Sequence, residues 1–161
     1  MAIFRWLLRG VILVILLISM LFLGARVHDG PIGPIPGGPL ASGDWVSPVS
    51  ADWSFAKDVG EIELQLVSQD TSRTTWILVR DGAAWIPCAL GYPPGKSWYH
   101  AAEQDGRAVL RIGGRRYAVT LTPDGDETLP EFALAEVTRK YGRPPPGEGG
   151  ALYFRIEPRA S

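Results

Sequence analysis

The chain is poor in the residues that build disulfides and metal sites. Its 161 residues include one cysteine, Cys88, and two histidines, His28 and His100. An internal disulfide needs a second thiol and a structural zinc site needs several Cys or His ligands, so neither is expected, and no metal is assigned. Charge of either sign is also scarce: 16 Lys and Arg stand against 17 Asp and Glu, a net charge of −1. Without a basic excess, nucleic acid is not an expected partner. Nucleophile-elbow, phosphate-loop and dinucleotide fingerprints are missing as well. Glycine and proline, by contrast, number 19 and 14, and 46% of residues are hydrophobic. That composition excludes wholesale disorder and predicts short elements joined by many turns.

Residues 10–25 (GVILVILLISMLFLGA) carry no charge at all. Extended back to Trp6, with Arg9 snorkelling toward the headgroups, the segment makes a helix of about 30 Å, the thickness of a bilayer core. Arg5 and Arg9 precede the run, and Arg26 is the only basic residue after it until Lys57. The positive-inside bias therefore predicts a cytoplasmic tip and transmembrane anchor over 1–26, single-pass in the cell membrane, with the remainder extracytoplasmic. Signal-peptide cleavage wants small residues at the cut and two positions before it, and Leu23 or Phe22 occupies the latter place in the two candidate cuts. An uncleaved anchor fits better.

Residues 27–43 form a Gly/Pro-rich tether, VHDGPIGPIPGGPLASG, too dense in both residues for a helix or a central strand. Two readings stand. It either holds the following domain clear of the bilayer, residues 29–43 reaching up to about 45 Å if polyproline-like, or packs along that domain as an ordered arm through Ile32, Ile35 and Leu40.

The domain at 44–161 has mostly two-residue periodicity. Residues 61–66 alternate as a half-buried strand should. Residues 74–79 and 83–88 flank Asp81-Gly82, and 109–112 and 115–121 flank Gly113-Gly114, both strong two-residue hairpin signals. A last strand is read at 152–157. Two helices interrupt this pattern, at 97–105 and at 129–141, the second with Thr128 and Glu131 as a capping box, Pro130 in its first turn and Gly142 after it. The expected fold is mainly β with two helices: after the transmembrane helix, a six-stranded antiparallel barrel or strongly bent sheet.

A two-residue turn at Gly113-Gly114 places Arg111 directly opposite Arg116, on the sheet face away from Leu110, Ile112, Tyr117, Val119 and Leu121. Opposed like charges are destabilising, so something anionic is expected beside them. Neighbouring carboxylates, Glu61 and Glu63 foremost, would do; so would a phosphate or carboxylate ligand gripped by two guanidinium forks. Trp98 follows the Pro93-Pro94-Gly95-Lys96 loop. Its ring beside Lys96 either walls a planar anionic ligand or plugs the mouth of the barrel. Cys88 reads as a small buried side chain and His100 as a surface or helix-capping residue. Pro144-Pro145-Pro146 reads as a stiff connection rather than a ligand for an aromatic groove.

The run Thr75-Trp76-Ile77-Leu78-Val79, then Asp81-Gly82, Lys96-Ser97-Trp98-Tyr99-His100, and Arg107 through Tyr117 with Arg111-Ile112-Gly113-Gly114-Arg115-Arg116 resembles the split β-barrel flavoproteins. It is most similar to the deazaflavin-dependent nitroreductases and more distantly to the pyridoxamine phosphate oxidase group. The resemblance covers about residues 60–121 and implies a six-stranded split barrel, often a homodimer, that binds FMN or a deazaflavin. On that reading Lys96, Arg111 and Arg116 hold phosphate, Thr75 and Trp76 line the ring pocket, and Trp98 stacks on or walls it. The glycine-containing segment that these families place before the strand is replaced by Val67 to Arg73, and their Asn-Leu by Ala101-Ala102. Two functions therefore remain open: a membrane-anchored flavin- or deazaflavin-dependent oxidoreductase, or a cofactor-free binding or assembly module of the cell envelope on the same fold.

Overall fold

The computed structural model describes residues 2–47, 49–144 and 150–160. Pro145 and Pro146 lie outside these residues. The apolar run forms helix α1, Ala2–Val27. Over Phe4–Val27 it is long and apolar enough to cross a membrane, with a mean hydropathy of 2.6.

The domain is one eight-stranded sheet: β1 (Asp44–Trp45), β2 (Glu61–Leu66), β3 (Ser72–Trp76), β4 (Leu78–Arg80), β5 (Ala83–Ala89), β6 (Arg107–Ile112), β7 (Arg115–Asp124) and β8 (Ala151–Pro158). Hydrogen-bonded neighbours run β3-β2-β6-β7-β8-β5-β4, all antiparallel, while β1 adds to β7 in parallel. Helices α2 (Trp98–Gln104) and α3 (Leu129–Tyr141) complete the domain.

Two strands are added to the six expected: β1, and one more because the run at 74–79 breaks. Ile77, Leu78 and Val79 are all buried in succession. A strand with one wet face cannot bury three consecutive side chains. Here the chain turns between layers: Ile77 and Val79 join the main core, and Leu78 packs with Ala133 and Val137 of α3. The break sits at the two ends of the sheet, since β3 is one terminal strand and β4 the other. The sheet therefore curls until its edges are consecutive in the chain, and among the described residues no ladder joins them. A split remains where a closed barrel would have a seam.

Both hairpins have the anticipated turns. Asp81 and Gly82 (φ 52° and 80°) and Gly113 and Gly114 (φ 56° and 78°) adopt the left-handed backbone that two-residue turns between twisted strands require. The register Arg111↔Arg116 and Leu110↔Tyr117 follows. The capping of α3 differs from expectation. Thr128 has helical backbone angles and makes no cap bond; its hydroxyl donates instead to Asp126 Oδ1 at 2.8 Å, and the same oxygen accepts the Thr128 N–H at 2.8 Å.

Residues 29–43 are an ordered arm. Ile32 bridges Ile35, Gly38 N–H donates to His28 O at 2.9 Å, and Gly37 pairs with Ser72 on the outer edge of β3. The Ser72 hydroxyl donates to Gly38 O at 2.6 Å, and Leu40 is buried. Glycine is required by proximity: a Cβ on Gly37 would lie 1.7 Å from Gly30 O, and one on Gly38 would lie 2.6 Å from Arg26 O. The arm thus covers a sheet edge that would otherwise expose its backbone donors.

Candidate functional site

Two places collect the residues singled out in the sequence. The first is the outer face of the β6–β7 hairpin, where Arg111 and Arg116 stand opposite each other as expected. Their anionic and polar partners come from inside the chain. Arg111 Nε donates to Glu63 on the neighbouring strand β2. Its Nη1 donates to Asp29 Oδ1 at 2.9 Å and to Ser42 Oγ at 3.0 Å, and its Nη2 to Asp29 O at 3.1 Å. The Arg111 side chain is only 11% exposed. Asp29 also accepts the N–H groups of Ala41 and Ser42 at 2.8 and 3.1 Å. Hydrogen bonding from Ser42, then from Ala41 and Arg111, holds its carboxyl well below the usual carboxylate range. Arg116 donates from Nε to Gly43 O at 2.8 Å and from Nη1 to Leu40 O at 3.0 Å. Its guanidinium lies 4.5 Å from the ring centroid of Trp45. Neither arginine lines a cavity together with Thr75, Trp76, Lys96 and Trp98. The arm occupies the place that a phosphate was expected to take.

The second place is the split itself. Between β3, β5, the 90s loop and α3 lies a cleft of about 400 Å³, and Thr75, Trp76, Lys96 and Trp98 all line it. Register explains how it acquires a charge. Arg73 pairs with Leu64 and Thr75 with Ile62, both buried, and paired residues share a face of the sheet. Arg73 therefore points inward. Its Nη2 donates to Gln69 Oε1 at 2.5 Å, and its guanidinium lies 5.4 Å from the centroid of Trp98. Its Nε is buried and has no hydrogen-bond partner. Burial pulls its pKa down to about 10. Lys96 donates to the carbonyls of Ala89 and Tyr92, which fixes its ammonium group at the loop. Glu61, paired with Trp76, also lines the cleft. Trp76 is held from behind by Tyr141, with ring centroids 4.4 Å apart, and Trp98 packs on Phe154 at 5.5 Å.

Arg73 was not anticipated in the sequence. Its neighbour pattern, Arg73-Thr74-Thr75-Trp76, has no apolar alternation, and only the pairing with β2 tells which residues face in. Cys88 is buried next to this region, and burial pushes its thiol up. Among the described residues no group of three or more His, Cys, Asp or Glu side chains could hold a metal ion.

A flavin or deazaflavin needs cations for its phosphate and a slot for its ring. The β6–β7 hairpin does not fit, because both guanidinium groups are engaged by the arm. The cleft offers two cations, the Arg73 guanidinium and the Lys96 ammonium, together with the rings of Trp76 and Trp98.

No protein-family model matches the chain, and no curated protein matches it. Among solved structures it is similar to a Listeria innocua protein with the provisional name pyridoxamine 5′-phosphate oxidase. That match has 14% sequence identity, covers 64% of this chain and 85% of the other, and has a TM-score of 0.44. At that level the likeness carries no inference about activity or ligand.

Proposed function

We propose that this chain is an anchored ligand-binding module: α1 crosses the cell membrane with its N-terminus in the cytoplasm, and the β domain outside holds one small anionic molecule in the split. The observation that carries this reading is the largely buried Arg73 guanidinium, which lines the cleft beside the Lys96 ammonium and, among the described residues, has the neutral Gln69 amide as its side-chain partner and no carboxylate. A charge held out of water without a counter-ion is costly, and an anionic ligand in the cleft would offset that cost. The volume of about 400 Å³ suits a small molecule. The orientation rests on Arg5 and Arg9 ahead of the apolar segment.

A second reading keeps the oxidoreductase, favoured by the aromatic walls of the cleft. Arg73 and Lys96 would then hold the phosphate of FMN or a deazaflavin, with Thr75, Trp76 and Trp98 around the ring. The bound cofactor would supply hydride transfer, and the chain would orient it and exclude water.

One experiment separates the readings. The full chain is incubated with FMN or a deazaflavin, desalted and measured for absorbance; binding of inorganic phosphate and glycerol 3-phosphate is followed by calorimetry. A retained chromophore that is lost in Arg73→Met supports the oxidoreductase. Anion binding without chromophore supports the plain binding module, and no binding of any of these sinks both. A reporter fused after Ser161 and active only in the cytoplasm would overturn the orientation.

A further inference from the structure

Resting on the cleft reading above and on α1 crossing a membrane, we infer that the ligand is a phosphate-headed amphiphile drawn from the bilayer surface. Three observations meet at the split.

The first is the composition of its wall. Beyond Arg73, Lys96 and Glu61, much of the surface is hydrocarbon, from Pro87, Ala89, Ala133, Val137 and Ala151. A small polar anion would leave that surface in water. A purely apolar ligand would leave the Arg73 and Lys96 charges that line the cleft without an added counter-ion. An anionic head joined to a hydrocarbon tail satisfies both.

The second is the arm. Gly33 and Pro34, at the tip of its hairpin, form part of the cleft rim. Thr74 Oγ1 on β3 donates to Gly33 O at 2.7 Å and fixes the tip there. From Val27, the last residue of α1, the chain reaches Gly33 in six steps. At about 3.3 Å per step, the rim lies no more than roughly 20 Å from the end of the membrane helix.

The third is the junction. Ala25 in the last turn of α1 is buried, His28 N–H donates to Ala25 O at 3.1 Å, and Gly38 sits against the carbonyls of Arg26 and His28. The domain is therefore docked on the helix end instead of hanging from a free linker. Its cleft stays within reach of the headgroup layer, where Tyr92, 53% exposed at the cleft, presents an amphipathic ring.

The test uses the full chain in phosphatidylcholine nanodiscs, titrated by calorimetry with dihexanoyl-phosphatidic acid, glycerol 3-phosphate and inorganic phosphate. The lipid is expected to bind at least about tenfold more tightly than glycerol 3-phosphate, from burial of its chains. Arg73→Met is expected to abolish that binding; if this variant does not fold, Lys96→Met, in an exposed loop, is expected to weaken it about tenfold. Equal affinity for all three ligands would overturn the amphiphile while leaving the anion cleft intact. Failure of all three to bind would overturn both. Lipid binding unchanged in both variants would place the ligand elsewhere and overturn the inference.

Discussion

Replacing Arg111 by alanine removes the point at which the arm, β2 and β6 are tied together. The guanidinium makes charge-assisted bonds to two carboxylates, Glu63 and Asp29, whose side chains are 28% and 35% exposed. A hydrogen bond to a charged group contributes about 1.5–3 kcal/mol, and partial exposure screens the ion pairs to the lower end of that range. Two such partners, left as uncompensated neighbours, put the loss at about 2–3 kcal/mol. For a domain of this size each kcal/mol lowers the melting temperature by roughly 3–6 °C, so a fall on the order of 6–18 °C is expected. Hydrogen exchange should show where the loss arises. The amides of Ala41 and Ser42, which donate to Asp29, and of Gly37, which donates to Ser72 O, should lose protection while the β6–β7 ladder keeps its own. The sign of the pH effect is also set. Asp29 has a depressed carboxyl pKa in the folded chain, so its contribution is complete above the ordinary carboxylate value of 3.8 and fades as pH falls below it. Arm protection should therefore hold at pH 5 to 7 and decline below about pH 4. If Arg111→Ala melts within about 0.5 kcal/mol of the parent chain and the arm amides stay protected, the arm is held by other contacts and this account of the hairpin is wrong.

Three further outcomes follow from the same geometry. Gly37→Ala places a methyl group where Gly30 O lies, so it should release the arm and show the same loss of amide protection as Arg111→Ala; retained protection would mean the backbone can shift aside. Arg73→Met exchanges an incompletely bonded buried cation for a side chain of similar length, so the ligand-free chain should melt unchanged or up to about 1 kcal/mol more stably, and a large destabilisation by thermal denaturation would show that Arg73 serves the fold. Cys88 is buried with its thiol pushed up, so it should react with a thiol reagent at pH 8 only after denaturation; rapid labelling of the native chain would contradict the described packing.

The parts of the fold that local chemistry decides were legible in the sequence. Asp81-Gly82 and Gly113-Gly114 could only be tight turns, and the second set Arg111 against Arg116 at the register later found. Glu63 was identifiable as a partner for Arg111 because it shares the outer face of β2. What was illegible depends on contacts distant in sequence. The break at Ile77 arises because β3 and β4 join opposite ends of the sheet, and nothing in a continuous run of strand-forming residues marks that corner. The arm was compatible with a free linker until its glycines were seen pressed against Gly30 and Arg26. Arg73 ends a polar stretch with no apolar alternation to give its direction; pairing with Leu64, nine residues earlier, turns it inward. The cleft could not be assembled from motifs, since its lining comes from β3, β5, the 90s loop, α3 and β8 together.

On the proposed function the arginines have two roles: Arg111 and Arg116 fasten the arm, and Arg73 would receive the ligand. Binding of dihexanoyl-phosphatidic acid to the full chain, compared between Arg73→Met and Arg116→Met in the same nanodiscs, tests this directly. Affinity is expected to fall at least about tenfold in the first variant and to stay unchanged in the second. Loss in Arg116→Met with retention in Arg73→Met would contradict it and return the anion to the hairpin.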